Sequence, residues 1–203
     1  MKPYNPLDIS NIAESLVREL LRRECGPLPP EEKFEGAGIY ALYYTGDLQL
    51  YRPLAKVNRT GCHRPIYVGK AAPEGARKGL VAIDNPPGSV LWSRLREHAE
   101  SVDQVGLGRD AFKCRFLITD EVWLSLAEKL LIQQYRPLWN AVVDGFGNHD
   151  PGSGRRATSR RPEWDALHPG RTWAVDMRPP QRSLGEIKDS VRQHLSQLGP
   201  LKP

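Results

Sequence analysis

Two stretches decide how this chain reads: EGAGIYALYY at residues 35–44 and RPIYVGKA at residues 64–71. Both are runs of apolar, aromatic and β-branched residues with breakers nearby, the composition of buried strands. Each also sets a tyrosine beside a glycine: Gly38-Ile39-Tyr40 in the first, Tyr67-Val68-Gly69-Lys70 in the second. Packing accounts for a tyrosine in a strand. It does not account for the repeated glycine or for the lysine that closes the second run. Strand, loop, strand predicts an antiparallel pair.

The pattern extends outward from this pair. Upstream, DISNIAESLVRELLRRE (residues 8–24) carries Ile12, Leu16, Leu20 and Leu21 at helical spacing, with Ser10 as N-cap and Glu14 behind it. Gly26, Pro27, Pro29 and Pro30 end that helix. Residues 1–33 thus read as an N-terminal helical arm that packs on the core or on a partner subunit. Between the two strands, residues 45–65 form a long excursion with room for a short strand of its own. After them comes a breaker-rich loop that is basic at Arg77 and Lys78. Ser89 then opens the amphipathic helix VLWSRLREHAESV. AFKCRFLIT alternates as a half-buried strand, with Phe112, Cys114, Phe116 and Ile118 on one face. Thr119-Asp120-Glu121 has the chemistry of a helix start, VWLSLAEKLLIQQY follows, and Pro137 closes it. The order β–β–α–β–α predicts an α/β fold of the α+β kind: a small mixed or antiparallel sheet flanked by helices. The divisions expected are the arm at 1–33, a core at 34–150 and a basic extension at 151–203.

Composition narrows the classes. The chain has 203 residues, 39% of them hydrophobic, and can bury a core. It has no apolar run near 18 residues and no secretory leader pattern, so a cytoplasmic bacterial location without membrane contact is expected. Cys25, Cys62 and Cys114 are odd in number and far apart, which suggests three reduced thiols. Charge is uneven. Residues 1–150 balance 19 Lys/Arg against 19 Asp/Glu, whereas residues 151–203 hold 10 against 5. Arg155, Arg156, Arg160 and Arg161 fall within seven positions. Such arginine clusters suit phosphate contacts and bidentate recognition of guanine.

The residues with chemical potential lie on the predicted helices. Arg94 and His98, four apart, project from one helical face. Glu128 sits among Leu124, Ala127, Leu131 and Ile132, where a carboxylate is costly unless paired or metal-bound. Asn140 follows Trp139 beyond the end of that helix. In order the chain offers Gly-Ile-Tyr, Tyr-Val-Gly-Lys, Arg-x-x-x-His, Glu and Asn. This succession, from about Gly36 to Asn148, resembles the GIY-YIG nuclease superfamily, with Tyr-Val-Gly in place of the usual Tyr-Ile-Gly. The excursion at 45–65, a histidine at 98, the helical arm and the basic extension are similar to its type II restriction endonuclease branch, in particular to enzymes that cut the palindrome CCGCGG.

The resemblance implies hydrolysis of a phosphodiester bond in double-stranded DNA by a homodimer, with no nucleotide cofactor. Glu128 would hold one Mg²⁺, with Mn²⁺ expected to substitute. Arg94 would add positive charge at the phosphate, and Tyr40 would orient or deprotonate the attacking water. Lys70, Arg94 or His98 would lower the Tyr40 pKa or take its proton onward. Tyr67 would complete the pair, Asn140 would brace the site, and the glycines would let DNA approach the backbone. For DNA contact the candidates are Arg64, Arg77, Lys78, His149 and the four clustered arginines, Arg155, Arg156, Arg160 and Arg161. The N-terminal helix, or Trp164 and Trp173, would supply the dimer interface; the competing reading makes the two tryptophans the core of the C-terminal segment. Two other readings compete: a GIY-YIG nuclease of repair or mobile elements, and a DNA-binding module without catalysis.

Overall fold

The computed structural model describes residues 7–73 and 88–198. Arg77 and Lys78 lie outside them. Chain order runs α1 (Ile9–Arg22), β1 (Gly26–Pro27), β2 (Gly38–Tyr44), α2 (Arg52–Asn58), β3 (Tyr67–Ala71), α3 (Val90–Gln104) and β4 (Phe112–Ile118). Then follow α4 (Glu121–Tyr135), α5 (Leu138–Ala141), α6 (Ser153–Arg156), α7 (Glu163–Leu167) and α8 (Leu184–Ser196). The four strands lie in the order β1-β4-β2-β3, and every pairing is antiparallel. The fold is therefore α+β with a purely antiparallel sheet.

All seven residues of β2 are buried, because helices cover both of its faces. On one face Tyr40, Leu42 and Tyr44 pack with Leu91, Leu95 and Ala99 of α3, and with Trp139, Phe146, Trp164, Ile187 and Val191. On the other, Ile39, Ala41 and Tyr43 meet Val17 and Leu20 of α1 and Leu124, Ala127 and Leu131 of α4. A strand buried on both faces reads as a continuous apolar run rather than an alternating one. That is the pattern of GIYALYY. Gly38 is required at its start, since a Cβ there would overlap the Leu117 carbonyl on β4 and stand 2.6 Å from Leu91 Cδ2.

Several expectations are corrected, or decided between alternatives. α1 begins at Ile9 with Asp8 as its N-cap, so Ser10 lies inside the first turn. Both residue types favour that position, and the earlier one occupies it. The excursion at 45–65 contains no strand; Pro53 stands in the first turn of α2, where its fixed φ favours a helix start. The N-terminal segment is tied into the body: α1 packs against α4, and β1 adds to the sheet, with Gly26 opposite Cys114 and Pro27 opposite Lys113. Trp164 is fully buried among the protein's own aromatic rings and offers nothing to a partner. α8 begins with a capping box between Ser183 and Glu186, and it sends Ile187, Val191 and Leu195 into the same core as Tyr40.

The three thiols are not all free. Cys25 and Cys62 form a disulfide with Cα atoms 6.4 Å apart, and only Cys114 is unpaired, buried in the core. Sequence separation conceals this pair because β1 and the loop before β3 meet only in the folded chain. Arg115 crosses the same junction, donating to the carbonyls of Arg23 and Cys62. Among the described residues no helix is long and apolar enough to cross a membrane.

One polar chain runs through the core. Trp139 Nε1 donates to the Tyr51 hydroxyl at 3.2 Å, and that hydroxyl lies 2.5 Å from His168 Nε2. Burial pushes the His168 pKa down to about 4. The unfolded chain binds that proton near the ordinary value of about 6.5, so it takes up protons first as pH falls. His168 should therefore leave stability intact above about pH 6.5 and remove up to about 3 kcal/mol on the way down to about 4. Urea unfolding across this pH range measures the loss, and His168→Gln should flatten the part that His168 contributes.

Candidate active site

The site is built around β3, the edge strand. Tyr40 on β2 pairs with Gly69 on β3. A Cβ on Gly69 would stand 2.6 Å from Tyr40 Cζ and 3.1 Å from Tyr67 Cε1. The missing side chain lets the Tyr40 ring lie across its neighbour strand. Both glycines have a packing role inside the protein: Gly38 makes room for Leu91 and the Leu117 carbonyl, and Gly69 for a phenol.

Beyond β3, Tyr40 meets α3. Its hydroxyl lies 2.6 Å from His98 Nε2. The Tyr67 ring is 6.2 Å from Tyr40 and 5.3 Å from His98, and Phe146 stacks on His98 at 4.6 Å. Arg94, one turn before His98 on α3, completes the cluster. Its Nη2 donates to the Gly147 carbonyl at 2.5 Å, and its Nη1 reaches His149 Nε2 and Glu97 Oε2, each at 2.8 Å. The Arg94 charge also acts on both phenols. Gly147 must be glycine here, because a Cβ would overlap the Tyr67 hydroxyl and crowd Arg94 Nη2.

The electrostatics follow from enclosure. Burial pushes the Tyr40 phenol well above its ordinary pKa; Tyr67 adds to the shift and Arg94 opposes it. Burial likewise raises Tyr67, again against Arg94. His98 is held well below the usual imidazole range by burial and then by the charge of Arg94. Burial works against the charge of Arg94, but the phenols and Glu97 outweigh it and the guanidinium stays protonated. The set at neutral pH is thus two neutral phenols, a neutral imidazole and one fixed cation. The expected lowering of Tyr40 is corrected: loss of water around the phenol exceeds what Arg94 returns.

Alternation along β3 sends Lys70 to the opposite side from Tyr67, toward α4. There Lys70 Nζ lies 2.8 Å from Glu128 Oε2 and donates to Ser125 Oγ at 2.8 Å. Glu128 keeps 23% of its side chain exposed and acts electrostatically on both Tyr40 and Tyr67. The carboxylate and the phenols therefore flank the same edge strand from its two sides. Asn140 of α5 holds that strand: its Nδ2 donates to the Val68 carbonyl and its Oδ1 accepts from the Val68 amide, both at 2.8 Å.

Of the remaining candidates within the described residues, His149 touches Arg94. Arg64 lies just before β3, its carbonyl accepting from Asn58. The clustered arginines are woven into the C-terminal segment. Arg156 pairs with Asp150, Arg161 donates to the Ala174 and Val175 carbonyls, Arg155 to Pro151 and Arg160 to Pro179. Arg155 and Arg160 stay exposed. Sequence reasoning missed Glu97, although its spacing of three from Arg94 is a readable helical pair. It also missed Phe146 and Gly147, which nothing in DGFGNHD distinguishes from ordinary turn residues.

An antiparallel sheet that sets two phenols, a guanidinium, an imidazole and a carboxylate about one edge strand defines the class: a nuclease domain of the GIY-YIG kind. The family model described as the Eco29kI GIY-YIG domain matches residues 32–195, and the chain belongs to that family of restriction-endonuclease GIY-YIG domains. The match spans every residue of the cluster and most of α8. No curated protein matches the chain.

Removing the Asn140 amide leaves both polar groups of Val68 without their partner. Asn140→Ala should lower the unfolding free energy by about 2 kcal/mol, read from urea denaturation, with the slope of the transition unchanged.

Proposed function

We propose that the protein is a sequence-specific endonuclease of restriction type, cutting double-stranded DNA at a short GC-rich palindrome, CCGCGG, as a homodimer with one Mg²⁺ per active site. The observation that carries the reading is the packing of Tyr40, Tyr67, Arg94 and His98 into one cluster, with Glu128 across the edge strand, in a chain of this family. The target sequence follows from the resemblance to CCGCGG-cutting enzymes, and exposed arginine suits guanine in the major groove. A palindrome presents two equivalent strands, and one site per protomer requires two copies related by a two-fold axis.

The residues fit a single cation. Among the described residues no three His, Cys, Asp or Glu side chains gather, so any ion is held by few protein ligands. Mg²⁺ accepts one carboxylate and keeps most of its waters. Glu128 is part-exposed, and its carboxylate already faces one cation, the Lys70 ammonium on Oε2. Glu128 would hold the ion, which when bound polarises the phosphate and the leaving oxygen.

The chain's own groups supply the rest. Arg94 puts a fixed charge toward the phosphate, where negative charge gathers as the bond breaks. Tyr67, the less buried phenol, hydrogen-bonds the incoming water or a phosphate oxygen. Tyr40 is too high in pKa to serve as a standing phenolate, so it works as one half of a pair. As water gives a proton to the Tyr40 oxygen, the phenol's own proton passes 2.6 Å to His98 Nε2. A neutral His98 is the state that accepts it, and burial keeps His98 neutral.

Incubation of the protein with a sequenced plasmid and Mg²⁺ should give discrete fragments with ends inside CCGCGG. A smear, or intact plasmid at every divalent ion tried, removes the restriction reading. Glu128→Gln should abolish cutting while duplex binding survives in a gel-shift assay. Arg94→Lys should lower the single-turnover rate by roughly a hundredfold or more.

A further inference from the structure

We propose that the buried Asp165–Arg171 pair is the positioning device for Arg94, acting through the loop of residues 145–149. The proposal builds on the nuclease reading of the Arg94 cluster. Arg171 and Asp165 are each 2% exposed. Arg171 Nε donates to Asp165 Oδ1 at 2.6 Å and its Nη2 to Oδ2 at 2.5 Å. The guanidinium then serves three backbone carbonyls of one loop: Gly145 at 2.9 Å, Phe146 at 3.0 Å and Asn148 at 3.2 Å. The Trp164 and Trp173 rings lie against it, each at 4.6 Å.

Between the Phe146 and Asn148 carbonyls, that of Gly147 is left out of this set, and it accepts from Arg94 Nη2. One guanidinium fixes the carbonyls on either side, so the intervening one points the other way, toward α3. The same loop presents His149 Nε2 to Arg94 Nη1 and lays Phe146 on the His98 ring. Two of the groups assigned to chemistry are thereby held from behind by one buried arginine. A planar fork is needed for this, because a lysine ammonium cannot meet a bidentate carboxylate and three carbonyls together. Such a buried pair adds little net stability once desolvation is counted, so geometry is where its effect lies.

Arg171→Lys in the full chain tests the relay. The variant should bind a duplex with a Kd within roughly threefold of the parent and cut it roughly a hundredfold more slowly in single turnover. In an Arg94→Lys background the same change should cost little more, because its target is already lost. An equal loss in both backgrounds, or a folded Arg171→Lys that cuts at the parent rate, overturns the proposal. A second measurement needs no DNA: the ¹⁵N guanidinium signals of Arg94 should show restricted rotation in the parent and free averaging in Arg171→Lys. Unchanged restriction overturns the proposal as well. Should the parent cut no duplex, the nuclease reading fails while the guanidinium signals still decide the relay. If Arg171→Lys does not fold, Asp165→Asn, which keeps the side-chain shape, takes its place with a smaller loss in the same direction.

Discussion

A phenol can lie across an edge strand only where that strand lacks a side chain. Gly69 meets that condition directly beneath Tyr40. The rest of the site depends on it. The Tyr40 hydroxyl reaches His98 on α3 because its ring is not stopped at β3, and Tyr67 fits beside it because the neighbouring position is empty. The strand that carries the gap also carries Lys70 on its other side, opposite Glu128. A single five-residue strand thus separates the proton-handling groups from the carboxylate while keeping them within electrostatic reach.

Enclosure then assigns charge. Of the side chains in the Tyr40 cluster, only Arg94 keeps a full charge, since burial suppresses ionisation of Tyr40, Tyr67 and His98 alike. In the proposed reaction, protons pass along hydrogen bonds rather than to a permanently ionised base. The direction of the Arg94 guanidinium is set by Gly147, His149 and Glu97.

Much of this is legible in the residues. The two Tyr–Gly strands, the helical Arg94–His98 pair and the acidic residue on α4 occupy the elements their patterns indicate, because each signal is local: strand composition, a spacing of four, a carboxylate in an apolar stripe. What escapes is non-local. The α2 helix hides in the excursion because the meaning of Pro53 depends on where the helix starts. The Cys25–Cys62 bond joins segments 37 residues apart. Trp164 and α8 read as part of an extension because charge, not apolar spacing, dominates residues 151–203. The role of Gly147 lies in where its carbonyl points, and no side-chain pattern records that. The direction of the Tyr40 shift is hidden for the same reason: enclosure by the assembled core outweighs the one cation nearby.

Both borders of the sheet are occupied. At one, β1 is only two residues long, and its Pro27 has no amide proton to offer an incoming chain. At the other, the amide and carbonyl of Val68 are taken by Asn140, and the Ile66 carbonyl accepts from the Trp139 amide. A sheet finished in this way does not lengthen by adding foreign strands, which guards the aromatic-rich run of β2 against amyloid-like stacking.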